Sequence, residues 1–258
     1  MFFVLHAFHT PVNSEKPDEH YFFTAIEFVG VLITFLILEH GLSKLQELHI
    51  SGIKEVEHGL PVEEILESIK SASFDIIIMD TYLEKMVVNP SNRKILEENL
   101  HTVLKRNPKI EIKFFLVDPA CDEATKRIDE LLPESSYKNH SEFKQAWSDS
   151  LVHLDNFRNI LKNHKEIENL EKHFSIEIQD TRPPFSMYSI DGKAYVSFYR
   201  KNSQSTNSLQ LCIPNNTDDG KLMYNFFVSS VIPQWQAKSN ALSIEKYIKE
   251  KPASFKSE

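Results

Sequence analysis

The sequence predicts an α/β domain with a mixed sheet, preceded by an apolar helix. Three observations predict it. Between residues 53 and 132 β-rich apolar runs alternate with amphipathic helical stretches, an order that requires parallel strands joined by right-handed crossovers. From about residue 174 the texture changes to short strands punctuated by turn residues, with Asp191-Gly192 as the strongest hairpin signal. Finally, residues 21–38, YFFTAIEFVGVLITFLIL, hold only Thr24, Glu27 and Thr34 as clearly polar members.

As a helix, residues 21–38 reach roughly 27 Å, close to the ~30 Å hydrocarbon core of a bilayer. They are expected to anchor the protein in a membrane; the alternative is a buried core helix, apolar on all sides. Glu27 lies about two turns inside the segment, where a lone carboxylate costs a few kcal/mol unless it snorkels, protonates or meets a polar partner. A cleaved signal peptide fits poorly: residues 1–20 carry Lys16 against Glu15, Asp18 and Glu19, and no small-residue cleavage site follows Leu38. Lys44 and Lys54 follow the segment, which favours a cytosolic body, with a wholly cytoplasmic protein as the alternative. Residues 1–8, MFFVLHAF, are too short to span and are expected at the interface or against the main helix.

The soluble body, residues 41–237, then unfolds in order. Residues 42–57 read as a helical stalk running into a short strand at 53–56. Pro61 opens a helix, with Glu63 and Glu64 in its first turn and Val62, Ile65, Leu66 and Ile69 on one face. Residues 75–79, DIIIM, form a continuous run typical of a strand buried on both faces, ending at Asp80-Thr81. A helix over 91–106 leads to a second strong strand at 110–117, which ends at Asp118-Pro119, and a third helix spans 122–132. A long helix is expected over 141–172, with Phe143, Trp147, Leu151, Leu154 and Leu161 as a core stripe. Four short strands follow at 174–178, 186–190, 194–199 and 209–213. A closing helix over 221–237, broken at Pro233, precedes a Lys-rich tail over 238–258 that is expected to fray.

Composition removes several function classes. A net charge of −8 argues against general nucleic-acid binding. Cys121 and Cys212 show no CxxC or Cys/His ligand spacing, so neither a structural zinc site nor any other metal or cofactor is expected. Only six glycines occur, with no Walker A loop and no GxGxxG. His101, His153, His164 and His173 fall on helices opposite the apolar stripe, which assigns them to the surface.

Four segments together resemble the phospholipase D-like superfamily, in particular a bacterial branch without an assigned activity. They are ILESIKSASFDIIIMDT at 65–81, FFLVDPACDEATKR at 114–127, SMYSIDGKAYVSFY at 186–199 and VIPQWQA at 231–237. The resemblance covers about residues 53–237 and implies one α/β sandwich lobe of that fold. Catalytic members carry a His-x-Lys pair in which histidine attacks phosphorus and lysine holds phosphate oxygens. In register with Asp191, those positions are Pro184 and Ser186. Proline offers no nucleophile and serine no charge, so the resemblance implies a degenerate motif and a pseudoenzyme.

Asp80, Thr81 and Asp118 fall at the carboxyl ends of adjacent predicted parallel strands, the edge where ligands bind in open α/β sheets. Arg127 lies in the following helix and is a candidate grip for an anionic ligand, with Arg182 or Lys193 assisting. The alternative keeps these aspartates as turn and helix caps, with Arg127 paired to one of them. The expected function is a membrane-anchored, non-catalytic domain that binds an anionic small molecule or a protein partner in bacterial signalling or defence. Two rivals stand beside it: a phosphodiesterase or nuclease with a relocated nucleophile, and a structural membrane subunit that forms a homo-oligomer through 21–38 and 141–172.

Overall fold

The computed structural model describes residues 53–164, 167, 170–199 and 207–250. The apolar segment at 21–38 and the residues 1–8 lie outside them. Among the described residues no helix is long and apolar enough to cross a membrane.

The first half alternates strand and helix: β1 (Glu55–His58), α1 (Val62–Ser71), β2 (Asp75–Met79), α2 (Pro90–Arg106), β3 (Glu111–Val117) and α3 (Asp122–Leu131). Then come α4 (His140–Lys162) and the short α5 (Leu170–His173), followed by β4 (Phe174–Gln179), β5 (Phe185–Ile190), β6 (Lys193–Phe198) and β7 (Leu209–Ile213). The chain closes with α6 (Asp218–Phe226), α7 (Ile232–Gln236), β8 (Leu242–Ser243) and α8 (Ile244–Glu250). The eight strands form one mixed sheet in the order β1-β7-β6-β5-β2-β3-β4-β8. β2, β3 and β4 run parallel, and every other neighbouring pair is antiparallel.

Side-chain alternation along the strands divides the core. Ile76, Ile78, Ile112, Phe114, Ile176 and Ile178 pack on one face with residues of α1, α2 and α4, such as Ile65, Leu100 and Leu151. Ile77, Met79, Phe115, Met187 and Val196 point the other way and meet Phe227, Ile232 and Trp235. Complete burial of each such side chain stabilises the fold by about 1.5–3 kcal/mol. A third cluster, Val117, Ala124 and Ile128 with Tyr82, Phe143 and Trp147, clamps α3 against α4 and so fixes where Arg127 projects.

Local chemistry sets the ends of the elements. Asn89 accepts from the N–H groups of Ser91 and Asn92 ahead of α2, whose first residue is Pro90. Asn139 caps α4 through the Glu142 N–H. The β5–β6 hairpin turns on Asp191 at φ 51° and Gly192 at φ 79°, the paired positive angles that a two-residue turn of matching twist demands.

Three expectations shift. The long helix stops at Lys162, where Asn163 and His164 turn back on the carbonyls of Ile160 and Leu161, and Ile167 and Leu170 then turn into the core. The closing helix starts at Asp218 and widens into a π-helical turn over Phe227–Val231. Pro233 has no N–H to return to the carbonyl four residues back, and the wider turn accommodates that loss. The Lys-rich stretch after 237 is not frayed over its described length. Ile244 and Tyr247 are fully buried while Lys246 and Lys249 face solvent, so the lysines mark one face of an amphipathic helix.

Candidate functional site

Asp80 and Asp118 each follow directly on a parallel strand, and their N–H groups extend the ladders to Phe115 O (3.1 Å) and Gln179 O (2.8 Å). Both carboxylates are buried at the carboxyl edge of the sheet, as is Thr81. The two aspartates have different surroundings.

Asp80 is enclosed. Its Oδ2 accepts the Tyr188 hydroxyl at 2.5 Å, and its Oδ1 accepts the Thr81 N–H at 2.7 Å. The Tyr199 hydroxyl approaches Oδ1 at 3.5 Å. Burial raises the Asp80 pKa; the bonds from Tyr188 and Thr81 and the positive charge of Arg127 act against that rise. Burial and the Asp80 charge push Tyr188 well above the ordinary phenol range, and Tyr199 likewise, so both hydroxyls are donors at neutral pH.

Arg127 is 1% exposed, and its Nη1 donates to Glu130 Oε2 at 2.7 Å. Arg182, from the segment ahead of β5, donates to the same oxygen at 3.1 Å. Both guanidiniums lie over the Tyr199 ring, at 5.1 Å and 5.5 Å from its centre. Tyr199 therefore joins the arginine pair to Asp80. Ser186, on β5, is buried beside this centre and donates weakly to Ser197 O at 3.5 Å.

Asp118 turns to a different neighbour. Its Oδ1 accepts the Tyr247 hydroxyl at 2.6 Å and the Ala120 N–H at 2.8 Å. Asp118, Asp180, Asn240, Leu242, Ile178 and Tyr247 line a cavity of about 150 Å³ between the strand ends and the C-terminal β8–α8 segment. The single crevice expected from the sequence is thus two polar centres, one built on Asp80 and the arginines, the other on Asp118.

Lys193 belongs to neither. Antiparallel pairing puts Ile190 opposite Ile76 and Met187 opposite Met79, so the β5–β6 hairpin lies at the amino end of β2. There Lys193 pairs with Glu64 at 2.5 Å and stands 4.8 Å from the Tyr195 ring centre. Asp191 at the same end is structural: its carboxylate accepts the N–H groups of Ser73, Phe74 and Asp75 at 2.7–3.2 Å. That accounts for an aspartate here without any chemistry at the histidine and lysine positions.

The histidines considered as nucleophiles sit elsewhere on the helical layer. His153 is exposed, and the His101 ring stacks 4.8 Å from that of His164. Among the described residues no group of three or more His, Cys, Asp or Glu side chains is placed to hold a metal ion. Sequence reasoning missed Glu130, Tyr188, Tyr199 and Tyr247. Tyr188 lies among Phe185, Met187 and Ile190 in a strand that also carries Ser186 and Ser189, and nothing local distinguishes it or Tyr247, which sits in a Lys-rich stretch.

No family model and no curated protein matches the chain. Among solved structures it is similar to TrmBL2, an archaeal chromatin protein that binds DNA, at 13% identity and TM-score 0.39 over 83% of this chain and 68% of that one. It is also similar to the phosphatidylserine synthase of Haemophilus influenzae Rd KW20, at 14% identity and TM-score 0.40 over 72% of this chain. The match spans only 38% of the synthase. Both likenesses are too slight to carry an argument about fold family, partner or activity.

Proposed function

We propose that this chain is a non-catalytic, phospholipase D-like domain that binds an anionic ligand at Arg127 and Arg182, and that residues 21–38 anchor it in a membrane. The observation that carries the reading is the convergence of two guanidiniums at the carboxyl edge of the sheet, near Ser186 on β5 and Pro184 just ahead of it, which stand where the resemblance places lysine and histidine in catalytic members. Two arginines at one point recognise an oxyanion, and proline at position 184 offers no imidazole to attack it. The four resembling segments support the family reading. The resemblance is also the sole ground for proposing a role in bacterial signalling or defence.

The test combines binding with turnover. Inorganic phosphate is expected to raise the melting temperature of the wild-type protein and to leave Arg182→Ala, whose side chain is partly exposed, unshifted. No hydrolysis of bis(p-nitrophenyl) phosphate is expected from either protein. Turnover abolished by a single histidine substitution would replace this reading with a phosphodiesterase. For the anchor, full-length protein is expected to resist a carbonate wash, and its appearance in the supernatant would make 21–38 a core or interface helix.

A further inference from the structure

Among the described residues eight large hydrophobic side chains are exposed, and five of them, Val56, Phe198, Leu209, Leu222 and Phe226, fall in one region. Register places three of the five on one face of the sheet. Val56 on β1 and Val196 on β6 both stand opposite Leu211 on β7, so Leu209 and Phe198, two positions along their strands, follow on that face. It is the face on which Leu211 and Val196 pack with Met187 and Phe227. Helix α6 covers it only in part. Tyr224 turns toward β5, where its hydroxyl accepts that of Ser189 at 3.3 Å, and Phe227 lies over Phe185 at 4.8 Å. Leu222 and Phe226, each two residues from Tyr224, lie on the opposite flank of the helix, on the side of β7. They are 68% and 58% exposed. Single exposed apolar residues are ordinary on a protein surface; five gathered on one corner mark an interaction face.

We infer that this corner of β1, β7, β6 and α6 lies against the lipid surface and inserts Leu222, Phe226 and Phe198 at the boundary of headgroups and acyl chains. The inference rests on the reading of residues 21–38 as a membrane anchor. The tether then decides the occupant. The described body begins at Ile53, and Val56 on the exposed face is three residues further on. Only residues 39–52 separate Ile53 from the apolar segment, and a stretch of that length spans at most about 50 Å whatever its conformation. The bilayer is thus within covalent reach of β1, which gives it precedence over a partner that arrives by diffusion. Charge sets the class of lipid. Lys54 and Lys221 border the face, but Glu55 at 3.2 Å and Asp218 at 3.6 Å offset them, and the chain as a whole carries −8. The face therefore offers no net positive charge to anionic headgroups, and apolar insertion into a zwitterionic surface is the contact it can make.

The experiment reconstitutes the full-length protein into phosphatidylcholine vesicles with and without bromine on the acyl chains, since bromine quenches tryptophan on contact. Trp147 and Trp235 are buried and supply the background. Phe226→Trp places a reporter on the face, and Leu222→Trp serves where the first variant does not fold. Ile160→Trp, at a position 58% exposed on α4, places one on the helical layer across the sheet. Brominated lipid is expected to remove the added emission of Phe226→Trp and Leu222→Trp and to leave Ile160→Trp and wild type unchanged. Mixing in phosphatidylserine is expected to leave that loss the same. Flotation of the vesicles separates the ways of failing. Protein that floats and is quenched equally at 160 and 226, or at neither, overturns the inference and leaves the anchor in place. A blue-shifted but unquenched reporter at 226 marks a protein partner or a second copy on the face and overturns it as well. Quenching that requires phosphatidylserine overturns the apolar contact. Protein that does not float overturns the anchor and this inference together.

Discussion

Two carboxylates each accept a tyrosine hydroxyl from this sheet at nearly the same distance, and their pKa values move in opposite directions. At the carboxyl edge of β2, Tyr188 donates to Asp80 at 2.5 Å; at the other end of the sheet, Tyr195 donates to Glu64 at 2.6 Å. Asp80 is fully buried, and burial raises its pKa despite Tyr188, Thr81 and Arg127. Glu64 has a side chain 48% exposed, and the bonds from Lys193 and Tyr195 lower its pKa. The phenol is common to both sites, so the difference lies in solvent. Where water still solvates the carboxylate, a cation and a phenol settle the matter; where water is excluded, the cost of holding charge outweighs the favourable neighbours.

Removing each phenol should therefore have unequal effects. Tyr188→Phe is expected to cost about 2 kcal/mol, because it takes a donor from a buried carboxylate that water cannot reach. Tyr195→Phe leaves Glu64 with Lys193 and solvent and should cost clearly less. Chemical denaturation of both variants checks this, and equal losses would break the comparison.

Next in size is the pH dependence of Asp80→Asn. The folded-state pKa of Asp80 lies above the ordinary aspartate value of 3.8, so its favourable contribution is complete below 3.8 and is lost as pH rises through the folded value. Asparagine does not titrate. The melting temperature of Asp80→Asn relative to wild type should therefore climb as pH increases from the acid side and level off above the raised pKa. A pH-independent difference would show that burial does not penalise the Asp80 charge.

The smallest effect belongs to Glu64→Gln. Its folded pKa lies below the ordinary 4.5, so its contribution is present above 4.5 and disappears as pH falls through the lowered value. Solvent screening holds that contribution to about 0.5 kcal/mol or less at neutral pH. Its pH trend should run opposite to that of Asp80, which sharpens the comparison even though the magnitude is slight.

Much of the fold was legible because hydrophobic periodicity is a local signal. The runs at 75–79 and 110–117 contain mostly β-branched or aromatic residues, and they are the central parallel strands β2 and β3. Asp191-Gly192 named its own turn, since both positions need positive φ. The stripe of Phe143, Trp147, Leu151, Leu154 and Leu161 predicted the buried face of α4, all five being buried. The helix end at Lys162 was less legible, because a stripe does not say when a polar turn interrupts it.

By itself the sequence determined the alternation of strands and helices, the β5–β6 hairpin, the position of Asp80 and Asp118 at strand ends, and the absence of histidine and lysine at Pro184 and Ser186. All of these are properties of neighbours along the chain. The tertiary structure alone decided which distant residues meet. It sent Lys193 to the far end of the sheet, joined Arg182 to Arg127 through Glu130, and brought Tyr247 from a lysine-rich stretch onto Asp118. Strand order and burial set those meetings, because a polar group excluded from water takes whichever partner the fold delivers, however far away it lies in sequence.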